Sequence, residues 1–495
     1  MTLTEVRAGP KSWIVLVAMS MAVTIVIFNS SAVNVALPSM STDLGLSSAA
    51  MRLVVVVYSA SFAAMLLPAG HLCNRIGART VLLIGLLATA LGGVAAAAVD
   101  NVSAIMVARA VLGVGAAFVM PSTLALVVAS TSTAARSRAI AIWSAVSVAG
   151  AAGGPILGGL LVDGWGWNYI FGVSAVGSAV MMFFVLAVVR ADGRQPRSAV
   201  NGRLLVLASG AITTFVLGVT IVSDEALPGV ALVAVARVLG LGAWSVRGGL
   251  PEAAVAEPTR TREQRREFVG ASVSNMLLFF ALAGTLFVLT QKLQFQFGLS
   301  PSSAGLAVAP VTVALIIGVA SSTPCATRFG RRPLVVVGLL IAAVASITLS
   351  AFGADLGTVL GAVFVAGLGV GLALPLVTES MVSSVPSHRV GEAAAVNDTM
   401  QEIGYALGVA VLGSVLSVVY GANLPGSSTE NASLGATLAE AERLGDSDLR
   451  ASALSAFSTG STAAFCAGAV FLAAGALIAY LYLPLAEQRA RDGAR

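Results

Sequence analysis

The stretch Gly150-Ala-Ala-Gly-Gly154-Pro155-Ile-Leu-Gly158-Gly159 lies inside a long, uncharged and mostly apolar run. Such a run is typical of a helix that crosses a bilayer, which takes about 20 apolar residues. Gly150, Gly154 and Gly158 recur every four residues and therefore share one face of that helix. A face without side chains lets a neighbouring helix approach closely, and Pro155 removes a backbone donor and favours a kink. A bare glycine repeat indicates only close helix packing. The full string, with Pro155 after Gly154 and the pair Gly158 and Gly159, is a more specific signal than the repeat alone.

The composition is that of a protein embedded in a membrane. Of 495 residues, 57% are hydrophobic and 10% are charged, whereas a soluble domain carries about 25% charged residues. The net charge of +5 does not indicate nucleic-acid binding, because the basic residues fall between apolar runs. Cys73, Cys325 and Cys466 show no metal or redox spacing. We therefore expect no nucleic-acid partner, no metal site and no bound cofactor.

Fourteen runs approach the length that a helix needs to cross the hydrocarbon core. They predict an all-α polytopic membrane protein with 14 transmembrane helices. A polar segment at 421–460 has helical composition at 436–454 and predicts an ordered external excursion before the last span. The predicted spans are 13–37, 53–72, 81–99, 103–129, 138–162, 169–189, 204–222, 227–246, 268–293, 302–324, 334–352, 356–384, 391–420 and 462–483.

The placement of basic residues predicts the orientation of these spans. Arginines follow every even-numbered span, and Arg7 and Lys11 precede the first, whereas the opposite connections carry mainly acidic residues. Lysine and arginine accumulate in cytoplasmic loops. We therefore expect a multi-pass protein of the cell membrane with both termini in the cytoplasm.

An internal echo predicts the domain organisation. The sequence NRIGAR at 74–79, after the second span, is echoed by TRFGRR at 327–332, after the tenth. Parallel repeats of six helices build the two halves of many transporters. The echo predicts a six-helix bundle at 1–202, two inserted helices and a cytoplasmic linker at 203–266, and a second six-helix bundle at 267–495.

The loop after the second span carries glycines and charges at short spacing. Gly70 can permit close helix contact, and Gly77 can take a positive φ in a tight turn. Arg75 and Arg79 can anchor the loop at the cytoplasmic surface. Asn74 can cap a helix N-terminus.

Two further segments place polar groups inside predicted spans. The fourth span reads Arg109-Ala-Val-Leu-Gly-Val-Gly, and the first ends with Asn29 and then Asn34-Val-Ala-Leu-Pro38. An arginine at the centre of a membrane helix costs about 2.5–3.5 kcal/mol on insertion scales. Arg109 is therefore either a functional residue or one that snorkels toward the interface.

These segments and the glycine string resemble motifs of the fourteen-helix drug:proton antiporter family of the major facilitator superfamily, over nearly the whole chain. The resemblance implies a major facilitator fold in a 6 + 2 + 6 arrangement and export of amphipathic compounds by proton antiport. It also implies that the loop residues and the glycine string form the conformational motifs, and that Asn29 and Asn34 line the substrate cavity. Asn29 and Asn74 stand where the family usually has aspartate, which argues against a specialist for dicationic drugs.

The thirteenth span carries Asp398 and Glu402, four residues apart on one helix face. With a rise of 1.5 Å per residue they lie about 10 and 16 Å inside the predicted helix start. Membrane carboxylates are candidate functional groups, and two close, buried carboxylates disfavour double ionisation. We predict that this pair is the main proton-coupling site and that Arg109 is also required; the alternative is a satisfied polar pair that holds two helices together. Glu379 is either a further proton site or an interface residue.

The function that the sequence favours is proton-coupled export of a small amphipathic compound, cations included, by a monomer in the lipid bilayer. The alternative is an uncoupled or differently coupled metabolite carrier with the same fold. Asn29 and Asn74 favour the carrier, whereas Asp398 and Glu402 favour the exporter. An enzyme is not expected, because no nucleophile–base pair or metal-ligand cluster is evident.

Overall fold

A computed structural model describes residues 10–189, 202–222, 226–245, 262–385, 390–424 and 433–484, and the regular elements in these ranges are helices. The first six are α1 (Pro10–Leu44), α2 (Ser48–Ile76), α3 (Ala78–Ala98), α4 (Val102–Ser130), α5 (Thr133–Trp165) and α6 (Asn168–Val188). Two more follow, α7 (Gly202–Ile221) and α8 (Ala226–Ser245). The others are α9 (Arg262–Gln291) with a π-helical turn at Lys292–Gln296, α10 (Pro301–Phe329), α11 (Arg331–Phe352), α12 (Leu356–Ser383), α13 (Val390–Asn423), α14 (Leu434–Leu444) and α15 (Ser447–Tyr482).

Twelve helices in the described ranges are long and apolar enough to cross a membrane. They are α1 to α4, α6, α7, α9 to α13 and α15, and α8 contributes a shorter apolar helix, Leu227–Ala243. The protein is therefore an all-helical membrane protein with many spans. A count of fourteen stays a prediction, because it requires α5 and α8 to cross the bilayer as well.

The region before the last span differs from its prediction. The helix expected at 436–454 is divided between α14 and the beginning of α15, and α15 starts well before the predicted span at 462–483. Gly445 ends α14 with φ +64, a conformation that glycine adopts without strain. The Asp446 side chain then caps α15 by accepting two backbone N–H groups. The sequence missed this boundary because both sides of it are helical in composition.

The chain has two halves, α1 to α6 and α9 to α15, and the helices of each half pack largely on one another. In the first half α1 packs on α5, and α2 and α3 pack on α4; in the second half α9 packs on α13, and α10 and α11 pack on α12. The two echoed loops form the same turn, since Gly77 and Gly330 separate consecutive helices with φ +92 and +88. The inserted helix α7 pairs with α8 and also packs on α2 and α13.

The halves meet mainly where α2 packs on α13 and α5 packs on α10. Among the described residues, side-chain hydrogen bonds between the halves lie at mid-depth or toward the end of the bundle where α2 and α10 begin. At the other end, the arginines Arg79, Arg266 and Arg331 bind partners of their own half. The bundle is therefore joined at one end. Bonds between the halves include those of Asn34 to Tyr405, Ser41 with Ser433, Arg52 to Ser417 and Gly413, Gln294 to Val35, and Ser302 to Asp163.

The glycine string of α5 packs on two different helices. Gly150 lies against Thr24 of α1, and a Cβ on Gly158 would come within 2.8 Å of the Cβ of Ala32, also on α1. Gly159 instead lies against the backbone of Pro301 on α10, in the other half, with no room for a side chain. The helix continues through Pro155, whose carbonyl lies against Gly305 of α10. A helix with bare backbone on two faces can therefore contact both halves closely.

Replacing Gly154 with leucine is expected to abolish transport while the protein still reaches the membrane. The new side chain would collide with Ser31 of α1, and overpacking of this kind costs about 1–3 kcal/mol. Gly153 is the matched control, because a Cβ there would meet only the Cδ1 of Leu157 at 3.9 Å. Membrane abundance and drug efflux should separate the two variants; normal efflux by Gly154→Leu would contradict the packing role.

Candidate functional site

A cluster of polar side chains lies where α1, α2 and α4 face α13. On the side of the cluster that the first half contributes, Arg109 of α4 is fully buried, with an exposed fraction of 0%. Its Nε donates to the carbonyl of Val54 at 2.9 Å and its Nη1 donates to Oδ1 of Asn29 at 2.7 Å. Its guanidinium carbon lies 4.3 Å from the ring centroid of Tyr58, a cation–π contact. The snorkelling interpretation is therefore wrong: Arg109 is held inside the bundle by α1 and α2.

Asn29 and Asn34, which the resemblance places in the substrate cavity, are both buried in this structure. Asn29 is buried and serves as a partner of Arg109. Its side chain is neutral, so it accepts a hydrogen bond but does not compensate the positive charge. An aspartate in its place would do both. Asn34 is also buried, and its Nδ2 donates to the hydroxyl of Tyr405 on α13 at 2.7 Å. Asn34 thus joins the two halves, whereas Asn29 holds Arg109 within the first half.

Asp398 is tied to an amide network within the second half. Its Oδ1 accepts a hydrogen bond from Nδ2 of Asn397 at 3.1 Å. The Oδ1 of Asn397 in turn accepts from Asn275 of α9 at 2.9 Å and from Thr378 of α12 at 3.4 Å. This network fixes the Asp398 carboxylate against the α9–α12 side of the bundle.

Glu402 faces the first half instead. It lies beside the hydroxyl of Ser59 on α2 and interacts electrostatically with Asp398, Tyr58 and Tyr405. Its Oε2 is buried and makes no hydrogen bond with any described residue. Buried side-chain oxygens are normally paired, and an exception requires an explanation such as a catalytic role or a bound water or ion. This orphaned oxygen argues against a fully satisfied structural pair.

The charges of the cluster are divided between the halves. Arg109 supplies a positive charge in the first half, and Asp398 and Glu402 lie in the second. Tyr58 interacts electrostatically with both Arg109 and Glu402, so it lies close to both the positive charge and the carboxylate. Groups so arranged can bind a proton or a cation at α13, and the charge of Glu402 can alter the attraction between the halves.

Glu379 lies outside this cluster. Its carboxylate forms an ion pair with Arg331 at the start of α11, and about half of its side chain is exposed. Both residues are near the end of the bundle that holds the echoed loops. Of the two interpretations of Glu379, the geometry favours the interface residue over the proton site.

Only some of the roles predicted for the residues in and before the loop after α2 agree with the structure. Gly77 takes a positive φ, and Arg79 donates to the carbonyl of Leu186 on α6. The predicted role of Gly70 in close packing is wrong, because nothing lies within 4 Å of an added Cβ. The predicted cap by Asn74 is also wrong: Gly77 occupies the N-cap position of α3, and no side chain caps that helix. Asn74 and Arg75 are exposed.

Sequence reasoning missed several members of the cluster. Tyr405 follows Glu402 by three residues and therefore shares its helix face, so the sequence did contain a signal for it. Tyr58 and Ser59 carry no such signal, since α2 has no repeating polar pattern around them. Asn397 stands beside Asp398 but is directed toward Asn275.

A separate groove of about 860 Å³ runs along α5 between α1 and α6. Its lining is almost entirely apolar, with Thr24, Phe28, Gly153 and Trp165 among its residues. None of the charged members of the polar cluster contributes to it. Within the described residues, no group of histidine, cysteine or carboxylate side chains is suited to hold a metal.

Comparison with curated proteins identifies relatives across most of the chain. The multidrug efflux pump LfrA of Mycolicibacterium smegmatis is 31% identical over 427 residues, which is 86% of this chain and 84% of that protein. The tetracenomycin C resistance and export protein of Streptomyces glaucescens is 32% identical, covering 82% and 76%. The methylenomycin A resistance protein of Streptomyces coelicolor is 31% identical, covering 83% and 88%.

Solved structures share the fold at lower identity. A bacterial homologue of the human lysosomal transporter Spinster, in an inward-facing, unoccupied conformation, has a TM-score of 0.67 at 18% identity and covers 96% of this chain and 97% of its own. A proton-dependent oligopeptide transporter has a TM-score of 0.64 at 16% identity and covers 96% and 99%.

The family profile of the Major Facilitator Superfamily matches residues 19–255 and 271–494. Together with relatives that are named drug-efflux and antibiotic-resistance proteins, this match makes the protein a transporter. The chain belongs to the major facilitator superfamily, within its antiporter-like family of drug exporters.

Proposed function

We propose that this protein exports amphipathic organic compounds from the cell by proton antiport. The observation that carries the proposal is the position of Glu402, which faces the first half from α13 beside Ser59 of α2, with a buried carboxylate oxygen. The names of the relatives support drug-like substrates. Asp398 and Glu402 support proton coupling, because carboxylates inside a membrane protein are costly and commonly form proton pathways.

The two carboxylates have different roles in this proposal. Glu402 carries the coupling proton, because its charge acts across the interface on the side of Arg109. Asp398, held by Asn397, provides the negative charge that a cationic group of the substrate meets. A cation favours the ionised pair and a proton favours the neutral pair, so the two compete. The exchange of substrate for protons requires such linkage between their two binding equilibria.

Arg109 acts as a fixed positive charge in this scheme. With Asn29 as its neutral partner, it has no compensating carboxylate within the hydrogen bonds that hold it. Ionised Glu402 attracts Arg109 and draws the halves together around Tyr58, whereas protonated Glu402 releases this attraction. A single membrane carboxylate thereby links proton binding to the rocking of the halves.

The orientation follows from the positions of the basic residues. We place the end that carries the echoed loops in the cytoplasm, with both termini, and the joined end outside. The described conformation is then inward-facing. The proposal includes fourteen spans, a monomer and a location in the cell membrane.

Replacing both carboxylates, by Asp398→Asn with Glu402→Gln, is expected to abolish proton-driven efflux without loss of the protein from the membrane. Each single variant should fold as well, because the amides keep the shape and remove the charge. The measurement is substrate transport in everted vesicles with an imposed pH gradient. Glu379→Gln is the control and should keep proton-driven transport, since Glu379 pairs with Arg331 outside the cluster.

Two results would contradict this assignment. If the double variant still moves substrate against its gradient with a proton gradient alone, another group couples the proton, and Glu379 is the next candidate. If the unaltered protein equilibrates substrate but never concentrates it, the uncoupled carrier is correct.

The proposed orientation is tested by cysteine labelling of a variant that lacks Cys73, Cys325 and Cys466. Glu263→Cys at the start of α9 and Glu442→Cys in α14 are both at exposed positions. In intact cells, an impermeant thiol reagent should label only Glu442→Cys, and Glu263→Cys should react only after permeabilisation. Labelling of Glu263→Cys from outside would reverse the orientation.

A further inference from the structure

Arg52 is fully buried, as Arg109 is, and the transport scheme above does not use it. It lies in α2 with an exposed fraction of 0%. Its Nη1 donates to Oγ of Ser417 at 2.5 Å, and the carbonyl of Gly413 lies at 3.5 Å from the same nitrogen. Both partners belong to α13. Arg52 is therefore a charged side chain of one half that binds the backbone and a hydroxyl of the other.

The stem of Arg52 fits a gap that Gly413 provides. A Cβ on Gly413 would lie 2.7 Å from Cδ and 2.9 Å from Cγ of Arg52. Contacts this short do not occur between real carbon atoms, so any larger residue at 413 would displace the arginine. Glycine thus allows the arginine side chain to lie against the backbone of α13, in the manner of small residues at membrane helix interfaces.

The depth of the contact places it between the polar cluster and one end of the bundle. At 1.5 Å per residue, Arg52 lies about 6 Å from the start of α2, and Ser417 lies about 9 Å from the end of α13. Tyr58, a member of the polar cluster, lies about 9 Å further along α2. Any path from the cluster to that end of the bundle between α2 and α13 must pass Arg52.

We propose that Arg52 is the latch of the external gate. Its bonds to α13 hold the outer ends of α2 and α13 together in the inward-facing state. They must break when the halves rock to release substrate outside, where water then solvates the guanidinium. The proposal rests on the orientation given under Proposed function, and it assigns to Arg52 no part in binding protons or substrate.

The latch acts on the balance between the two states. Bonds to Ser417 and Gly413 exist only when the outer ends are together, so they stabilise one state and not the other. Losing a hydrogen bond from a charged donor shifts such a balance about tenfold. Variants without the latch should therefore open outward more often while the site at α13 remains intact.

The test measures access to the polar cluster from outside. Ser30 of α1, which lies beside Tyr405, is changed to cysteine in a chain that lacks the three native cysteines. An impermeant thiol reagent is added to intact cells, and the rate of labelling of Ser30→Cys is measured. Arg52→Gln should raise this rate about tenfold, and Ser417→Ala should raise it less.

Arg266→Gln is the matched control. Arg266 also donates to a backbone carbonyl, that of Leu481, but this bond lies within the second half. Its loss should leave the labelling rate of Ser30→Cys unchanged. An equal increase in Arg266→Gln would show that removing any arginine loosens the bundle, and the latch would be excluded.

An unchanged rate in Arg52→Gln and in Ser417→Ala would overturn the proposal. If Arg52→Gln does not reach the membrane, Gly413→Ala decides, because the added methyl group displaces the arginine without removing it. This readout needs no proton gradient, so it is independent of a failure of proton coupling. If the orientation is reversed, Ser30→Cys will already react rapidly from outside in the unaltered gate, and the latch variants will lower that access.

Discussion

The arrangement of this transporter depends on a positive charge that cannot reach water. Arg109 is fully buried, and its hydrogen bonds go to an uncharged carbonyl and to the amide of Asn29. In a medium of low dielectric constant, such a charge acts strongly on any carboxylate nearby. Glu402, across Tyr58, is the group placed to respond. In the mechanism that we propose, the neutral Asn29 leaves the proton state of Glu402 on α13 as the variable that changes the electrostatics of the interface.

In the proposed mechanism, close helix contact lets this electrostatic change become movement. Gly159 and Gly305 bring the backbones of α5 and α10 together across the halves, and Gly413 leaves room on α13 for the side chain of Arg52. Because bare backbone makes no interlocking side-chain contacts, helices can change their packing there without disturbing a core. The polar groups then decide which arrangement is populated. Arg109 acts at mid-depth, and Arg52 acts nearer the joined end.

Local pattern was sufficient to predict part of this site. A spacing of four residues placed Asp398 and Glu402 on one face of α13, and the glycine spacing gave the face of α5 that packs on α1. Contacts between distant segments were not predictable in this way. Asn34 binds Tyr405, which lies 371 residues away in the sequence, and no periodic pattern indicates such a pair. Arg52 was missed because a charge near a helix end is read as interfacial, whereas here the second half covers it. The boundary between α14 and α15 was missed because one glycine sets it.

In the proposed mechanism, Glu402 releases its proton when substrate binds. The most direct measurement is proton release by purified protein in weakly buffered detergent solution when a substrate cation is added. The unaltered protein should release protons on binding, and Glu402→Gln should bind the same cation through Asp398 with most of that release lost. Undiminished proton release by Glu402→Gln would contradict the account and would assign the coupling proton to another group.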